Sequence, residues 1–311
     1  MLAYLLMKVI GLMTVSTPSI DIDLDITEEK VAQCLKALKP DKSPGPDGIH
    51  PLLLQMVADE VAKHLTLIFV KSFNESKLPE DWRRANRPAI CRKGARNEAR
   101  NYRPVSLTSV VCKILEAIIQ EKNNAFPGRQ EVDSHQTTWI CHGRSCLTNL
   151  LETLEKWTEY LDAGHGLDVI YLDYRKVFDT VLHKKLLKKV LKAGISGKVL
   201  NWIKAFLLER KIKVTVNGSF LVWASVTSGI PQGSVLGPLL FLIYVTYRIE
   251  SRLKLRCSLM TKLWNKITEP NDCIKLQQDL DSLQNWSDKW LLRFNLDKCK
   301  VMHIGHDCKF L

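Results

Sequence analysis

The sequence predicts an α+β fold on three observations. Helical periodicity recurs in segments long enough for three or more turns. One short apolar run rich in β-formers, Leu167 to Tyr174 (LDVIYLDY), reads as a buried strand. Two β-prone runs, Lys211 to Val216 and Phe220 to Val226, flank Asn217-Gly218, a dipeptide that favours a tight hairpin turn.

The elements follow in order. Thr27 predicts an N-cap for a helix to Leu38, with Val31, Leu35 and Leu38 at helical spacing. Pro44, Gly45, Pro46, Gly48 and Pro51 exclude a helix over 40–51 and set a rigid loop. One long helix is expected over 52–76, a basic loop over 83–104 and a helix over 106–120. A helix over 147–161 carries Leu147, Leu150, Leu151, Leu154 and Trp157 on one side. Asp173 ends the buried strand, a costly place for an acid that is not solvated, paired or metal-bound. Two Lys-rich amphipathic helices follow over 182–192 and 198–209, with Gly194 ending the first. The turn Gly229 to Ser234 opens an apolar helix over 235–247. A helix over 271–288 and a strand over 299–304 close the pattern; residues 248–267 give no clear periodicity.

Composition bounds the class. The chain has 311 residues, 46% apolar and 25% charged, which is globular rather than disordered. Lys plus Arg is 45 and Asp plus Glu is 33, so 45 − 33 = +12, and such a surplus favours a polyanionic partner. The surplus is concentrated. Arg83 to Arg129 holds eleven basic residues and three acids (+8), and Arg175 to Lys213 holds twelve and two (+10). Both stretches are expected to contact phosphates.

The nine cysteines form no tight paired framework, so reduced thiols and a cytoplasmic or nuclear location are expected. Neither Cys141, His142 and Cys146 nor Cys299, His303, His306 and Cys308 has the paired knuckles of a zinc site. Met1 to Val15 is apolar but interrupted by Lys8 and Gly11, too short to span a bilayer, and lacks a basic leader; no membrane segment is expected. Residues 1–26 are expected to form a poorly ordered extension.

Six stretches, in one order, resemble the reverse transcriptase domain of non-LTR (LINE-type, jockey-related) retrotransposons. They are KSPGPDGIHP (42–51), NYRPVSLTSVVCKILE (101–116), GRSCLTNLLE (143–152), DVIYLDYRKVFDTVLHKKLL (168–187), VTSGIPQGSVLGPLLFLIY (226–244) and WLLRFNLDKCKVMHIG (290–305). The resemblance implies a right-hand polymerase, with fingers over 27–160, a palm over 161–305 and a tail over 306–311. The palm would be an antiparallel sheet backed by helices, and the thumb largely missing. It implies RNA-directed DNA polymerisation: transfer of deoxynucleotides to a DNA primer on an RNA template, assisted by two Mg²⁺ ions.

The same resemblance assigns roles. Asp173 would be the first-strand catalytic metal ligand, and Phe178 would stack under the nucleotide sugar. Arg103, and less directly Lys93, would grip the triphosphate, for which a guanidinium fork suits the oxygens. Gln232 and Gly233 would line the nucleotide pocket.

The sequence also departs from the family. Where the family reads approximately LKLFADDTKLW, this chain reads LKLRCSLMTKLW at 253–264, one residue longer and without an acid from Arg256 to Met260. A second extra residue lies in Gln136 to His142, before GRSC. Matching flanks around short mismatched patches point to local frame disruptions. With the Asp pair gone, polymerisation is expected to fail, and Asp173 is expected to be a buried carboxylate without a partner. The alternative reading is a non-catalytic remnant that binds nucleic acid.

Overall fold

The computed structural model describes residues 24–91, 94–95, 97–98, 101–122, 146–175, 177–216, 218–245 and 260–305. They form two compact units, each discontinuous in sequence: one holds 24–122 and 181–245, the other 146–180 and 260–305.

The first unit begins with α1 (Glu28–Lys36). The Thr27 hydroxyl accepts the Lys30 amide at 3.3 Å, Glu28 and Glu29 sit at the positive end, and Val31 and Leu35 are buried. The helix expected over 52–76 is two helices, α2 (Pro51–Met56) and α3 (Ala58–Glu75), broken at Val57 (φ −105°, ψ 26°). Both pieces pack against α1. A short turn of helix, α4 (Glu80–Arg83), leads into β1 (Arg84–Cys91). Most of the described residues in the loop expected over 83–104 are thus strand, in β1 and in a second strand at 102–104. Antiparallel β2 (Tyr102–Pro104) and β3 (Leu107–Thr108) line β1, and Pro88, which has no N–H to donate, falls at the last pair of its parallel ladder. Because 107–108 joins this sheet, the next helix, α5 (Val110–Lys122), starts four residues later than expected. It is buried almost all round through Val111, Cys112, Leu115, Ile118 and Ile119.

The chain then enters the second unit with α6 (Cys146–Asp162), β4 (Gly166–Asp173) and the short α7 (Val177–Thr180). Only Trp157 of the expected α6 stripe is buried; Leu147, Leu150, Leu151 and Leu154 are exposed.

Back in the first unit come α8 (His183–Lys192) and α9 (Gly197–Leu207), separated by a turn in which the Gly194 amide reaches the Leu191 carbonyl. β5 (Arg210–Val216), β6 (Ser219–Phe220) and β7 (Ala224–Val226) follow, then α10 (Gly237–Val245). The expected hairpin forms, with Asn217 itself outside the described residues. β5 carries β6 and β7 antiparallel and joins β1 in parallel register, from Arg84 opposite Lys211 to Pro88 opposite Thr215.

The second unit is completed by β8 (Met260–Ile267), α11 (Pro270–Trp290), a 3₁₀ turn at Leu296–Lys298 and β9 (Lys300–Ile304). β8, which the sequence did not reveal, and β9 flank β4 in an antiparallel sheet ordered β8-β4-β9. β4 is buried on both faces. Ile170 and Leu172 pack on Leu276 and Leu283 of α11, while Leu167 and Val169 pack on Trp157 of α6. Among the described residues no helix is long and apolar enough to cross a membrane.

Candidate functional site

In the first unit, the segment from Gly229 to Gly237 is held at nearly every step. The Gly229 amide donates to the Val181 carbonyl at 2.8 Å, and its carbonyl lies 2.8 Å from Nε2 of His183. The Ser234 hydroxyl donates to the Pro231 carbonyl (2.8 Å) and accepts the Gly237 amide (3.0 Å). The Ser106 amide donates to the Gln232 carbonyl at 3.0 Å. Gly233 has φ +110°, and a Cβ there would lie 2.4 Å from the Ser106 carbonyl oxygen, so only glycine fits this approach. The Ser106 hydroxyl in turn accepts from Nε of Arg87 at 3.0 Å.

The last clamp was not legible in the sequence. Glu116 of α5 is fully buried, and its Oε2 accepts the amides of Val235 (2.7 Å) and Leu236 (2.9 Å), the two residues just before α10. A carboxylate at a helix N-terminus satisfies orphan donors and meets the positive end of the dipole. Burial nonetheless pushes its pKa up, an effect opposed by those two amides and by the buried Arg210. Cys112, buried beside it, has its thiol pushed well up by burial and by the Glu116 charge. The result is a fixed main chain from which the half-buried Gln232 side chain projects without a hydrogen bond to any described residue.

Of the residues expected to hold a nucleotide, the structure therefore brings Gln232 and Gly233 against Ser106. Arg103 lies three residues before Ser106, on β2, opposite Ile90 of β1. Lys93 lies outside the described residues. Asp173 and Phe178 belong to the other unit, at the end of β4 and on α7.

At the end of β4 the expectation of an unpartnered carboxylate is corrected. Oδ2 of Asp173 lies 2.9 Å from Nζ of Lys298, a residue 125 positions away that the 3₁₀ turn delivers. The turn is fastened to the strand: the Asn295 amide donates to the Asp173 carbonyl at 2.7 Å, the Arg175 amide to the Arg293 carbonyl at 2.8 Å, and the rings of Tyr174 and Phe294 stack at 4.8 Å. On the other side, β8 places Met260 opposite Asp173. Arg256 to Leu259 lie outside the described residues, as do Cys141, His142, His306 and Cys308. Among the described residues no three His, Cys, Asp or Glu converge as a metal site. A second acid of β4, Asp168, is buried, and its Oδ1 lies 2.5 Å from Nδ1 of His303 on β9.

The basic stretches are also less of a surface than their sums suggest. Lys189 and Arg210, both within the +10 stretch, are buried. Nζ of Lys189 donates to the Tyr244 carbonyl, and Nη1 of Arg210 to the Phe206 carbonyl.

Comparison with known proteins decides the family. The model of the reverse transcriptase (RNA-dependent DNA polymerase) family matches residues 91–311. The chain belongs to this family.

Its similar relatives come from non-LTR retrotransposons. The chain is 31% identical to the RNA-directed DNA polymerase from mobile element jockey of Drosophila funebris over 298 residues. It is 26% identical to the probable RNA-directed DNA polymerase from transposon BS of Drosophila melanogaster over 286 residues. Each match covers 88% of this chain and 31% of the relative. A probable RNA-directed DNA polymerase from transposon X-element, also of Drosophila melanogaster, is 26% identical over 73% of this chain and 25% of its own length. The chain thus spans about a third of the length of the curated relatives it matches most fully.

Proposed function

We propose that this chain of the reverse transcriptase family binds nucleic acid and does not extend it. The unit built on β1 and β5 would serve as fingers and the sheet β8-β4-β9 as palm, with RNA and DNA strands as partners. The observation that carries the reading is the end of β4, where Asp173 faces Met260 across the strand pair and is held by Lys298. Mg²⁺ demands converging hard oxygen ligands. Asp173 supplies one carboxylate; Arg256, Cys257, Ser258, Leu259 and Met260 supply none. The residues present do not fit a two-ion magnesium site, and the Lys298 ammonium already compensates the Asp173 charge. The nucleotide loop is better preserved, because Gln232 and Gly233 retain both their residue types and a rigid frame.

Thermal unfolding of the wild type and of Asp173→Asn, with and without Mg²⁺, tests this. A bound ion stabilises the folded state by mass action. The expected result is no Mg²⁺-dependent rise in melting temperature for either protein. A rise in the wild type that the Asn variant lacks would overturn the proposal.

A further inference from the structure

Four consecutive apolar side chains, Phe220 at the end of β6 and Leu221, Val222 and Trp223 in its connection to β7, stand exposed, with Phe220 at 62% and Val222 at 87% exposure. Such a run in water is a liability unless something binds it. Its surroundings say what. Register puts Arg84 and Asn86 of β1, Lys211, Lys213 and Thr215 of β5, and Phe220 of β6 on one face of the sheet, since paired residues share a face and alternate residues along a strand repeat it. Nζ of Lys213 lies 4.3 Å from the centre of the Phe220 ring and 4.8 Å from that of Trp223, and the Arg84 guanidinium lies 5.4 Å from Trp223.

Cations interleaved with open aromatic rings fit a polyanion whose units carry flat faces. From Arg210 to Val226 the sequence has three basic residues and no acid. Acids do reach one edge of the face: Glu80 and Asp81 contact Arg84, and Glu80 comes to 4.0 Å of Lys211. Lys213, between the rings, has no acid partner among the described residues.

We propose that this face is a stacking platform for single-stranded nucleic acid. Phe220 offers its open ring to a base, Lys213 and Lys211 meet the flanking phosphates, and Leu221 and Val222 cover the sugar edge. The inference rests on the chain binding nucleic acid and adds where and in which form. A duplex keeps its base faces stacked inside and exposes only phosphates, sugars and base edges, so the aromatic part of the platform discriminates strandedness.

The test is fluorescence anisotropy of the purified chain with a labelled oligouridylate and with a labelled duplex of equal length, for wild type, Phe220→Ala and Lys213→Gln, with melting temperatures and sedimentation of each. Phe220→Ala is expected to weaken single-strand binding about fivefold or more while leaving duplex binding within about twofold, since one stacked base contributes that much. Lys213→Gln is expected to reduce the salt slope by about 0.7, the value for one phosphate contact on a single strand. Equal single-strand binding by Phe220→Ala and wild type would overturn the platform and leave nucleic-acid binding standing. Absence of binding by the wild type to either probe would overturn both. Unchanged nucleic-acid binding with a shift from dimer to monomer in the Phe220→Ala variant would assign the patch to a second copy of the chain and overturn the platform.

Discussion

Replacing Glu116 with Ala should disable the frame of the segment from Gly229 to Gly237. The substitution leaves the Val235 and Leu236 amides, accepted at 2.7 and 2.9 Å, without a partner, the first half-buried and the second buried. Each unsatisfied buried donor costs about 1–3 kcal/mol. It also removes the counter-charge of Arg210, which is 3% exposed. Against this, the penalty of burying the carboxylate disappears, and its raised pKa shows that penalty to be felt. The net loss should be on the order of 3 kcal/mol. Glu116→Gln keeps an oxygen for both amides and should cost about 1 kcal/mol or less at pH 7. The pH dependence has a definite sign. A carboxyl whose folded pKa lies above its ordinary 4.5 favours the fold fully below that value, and loses the contribution as pH rises toward the folded value. Glu116→Gln should therefore gain on the wild type as pH rises above the ordinary 4.5. Urea unfolding at several pH values, with amide exchange read at Val235 and Leu236, measures all three effects. A Glu116→Ala protein within about 0.5 kcal/mol of wild type, with exchange at those amides unchanged, would refute the clamp.

Three further outcomes follow from local geometry. Gly233→Ala must hold φ +110° with its Cβ 2.4 Å from the Ser106 oxygen, so it should destabilise by about 2 kcal/mol or more, visible as a lower melting temperature. Asp272, inside the capping box of α11 and bonded to Thr268, has its pKa lowered to about 2; its contribution is present above the ordinary 3.8 and lost as pH falls toward about 2. Asp272→Ala should cost about 1 kcal/mol at pH 6, a cost that shrinks as pH falls toward about 2, by thermal unfolding across that range. Asp173→Asn gives up an ion pair whose lysine is 66% exposed, so it should cost less than about 1 kcal/mol in urea, rather than stabilise as an unpaired buried acid would.

What was legible in the sequence was local. The Thr27 cap, the β4 run and the turn after Val216 each carry their signal within a few residues, and each forms as expected. What was hidden depends on partners far along the chain. β1 reads as a basic loop because its Pro and Arg residues hide the strand pattern, and only β5, more than 120 residues later, completes its ladder. Glu116, Lys189 and Arg210 count as surface charge in any sum over sequence, yet each is buried against a main-chain group or opposite charge supplied by another segment. The same holds for Asp173, whose partner Lys298 comes from the far end of the second unit. β8 was obscured because the mismatch at Arg256 to Met260 breaks the pattern just where the strand begins. The turn from Gly229 to Ser234 was legible in its residue types, whereas the clamp that orders it, from Glu116, was not.

Primer extension reads out directly whether the end of β4 holds a working metal centre. The purified chain is incubated with an RNA template, an annealed DNA primer, deoxynucleotides and Mg²⁺, beside an Asp173→Ala control. With Met260 opposite Asp173 and Lys298 on its carboxylate, no extension above the control is predicted. Extension by the wild type that the Asp173→Ala variant loses would show a working metal centre at the end of β4 and contradict the account.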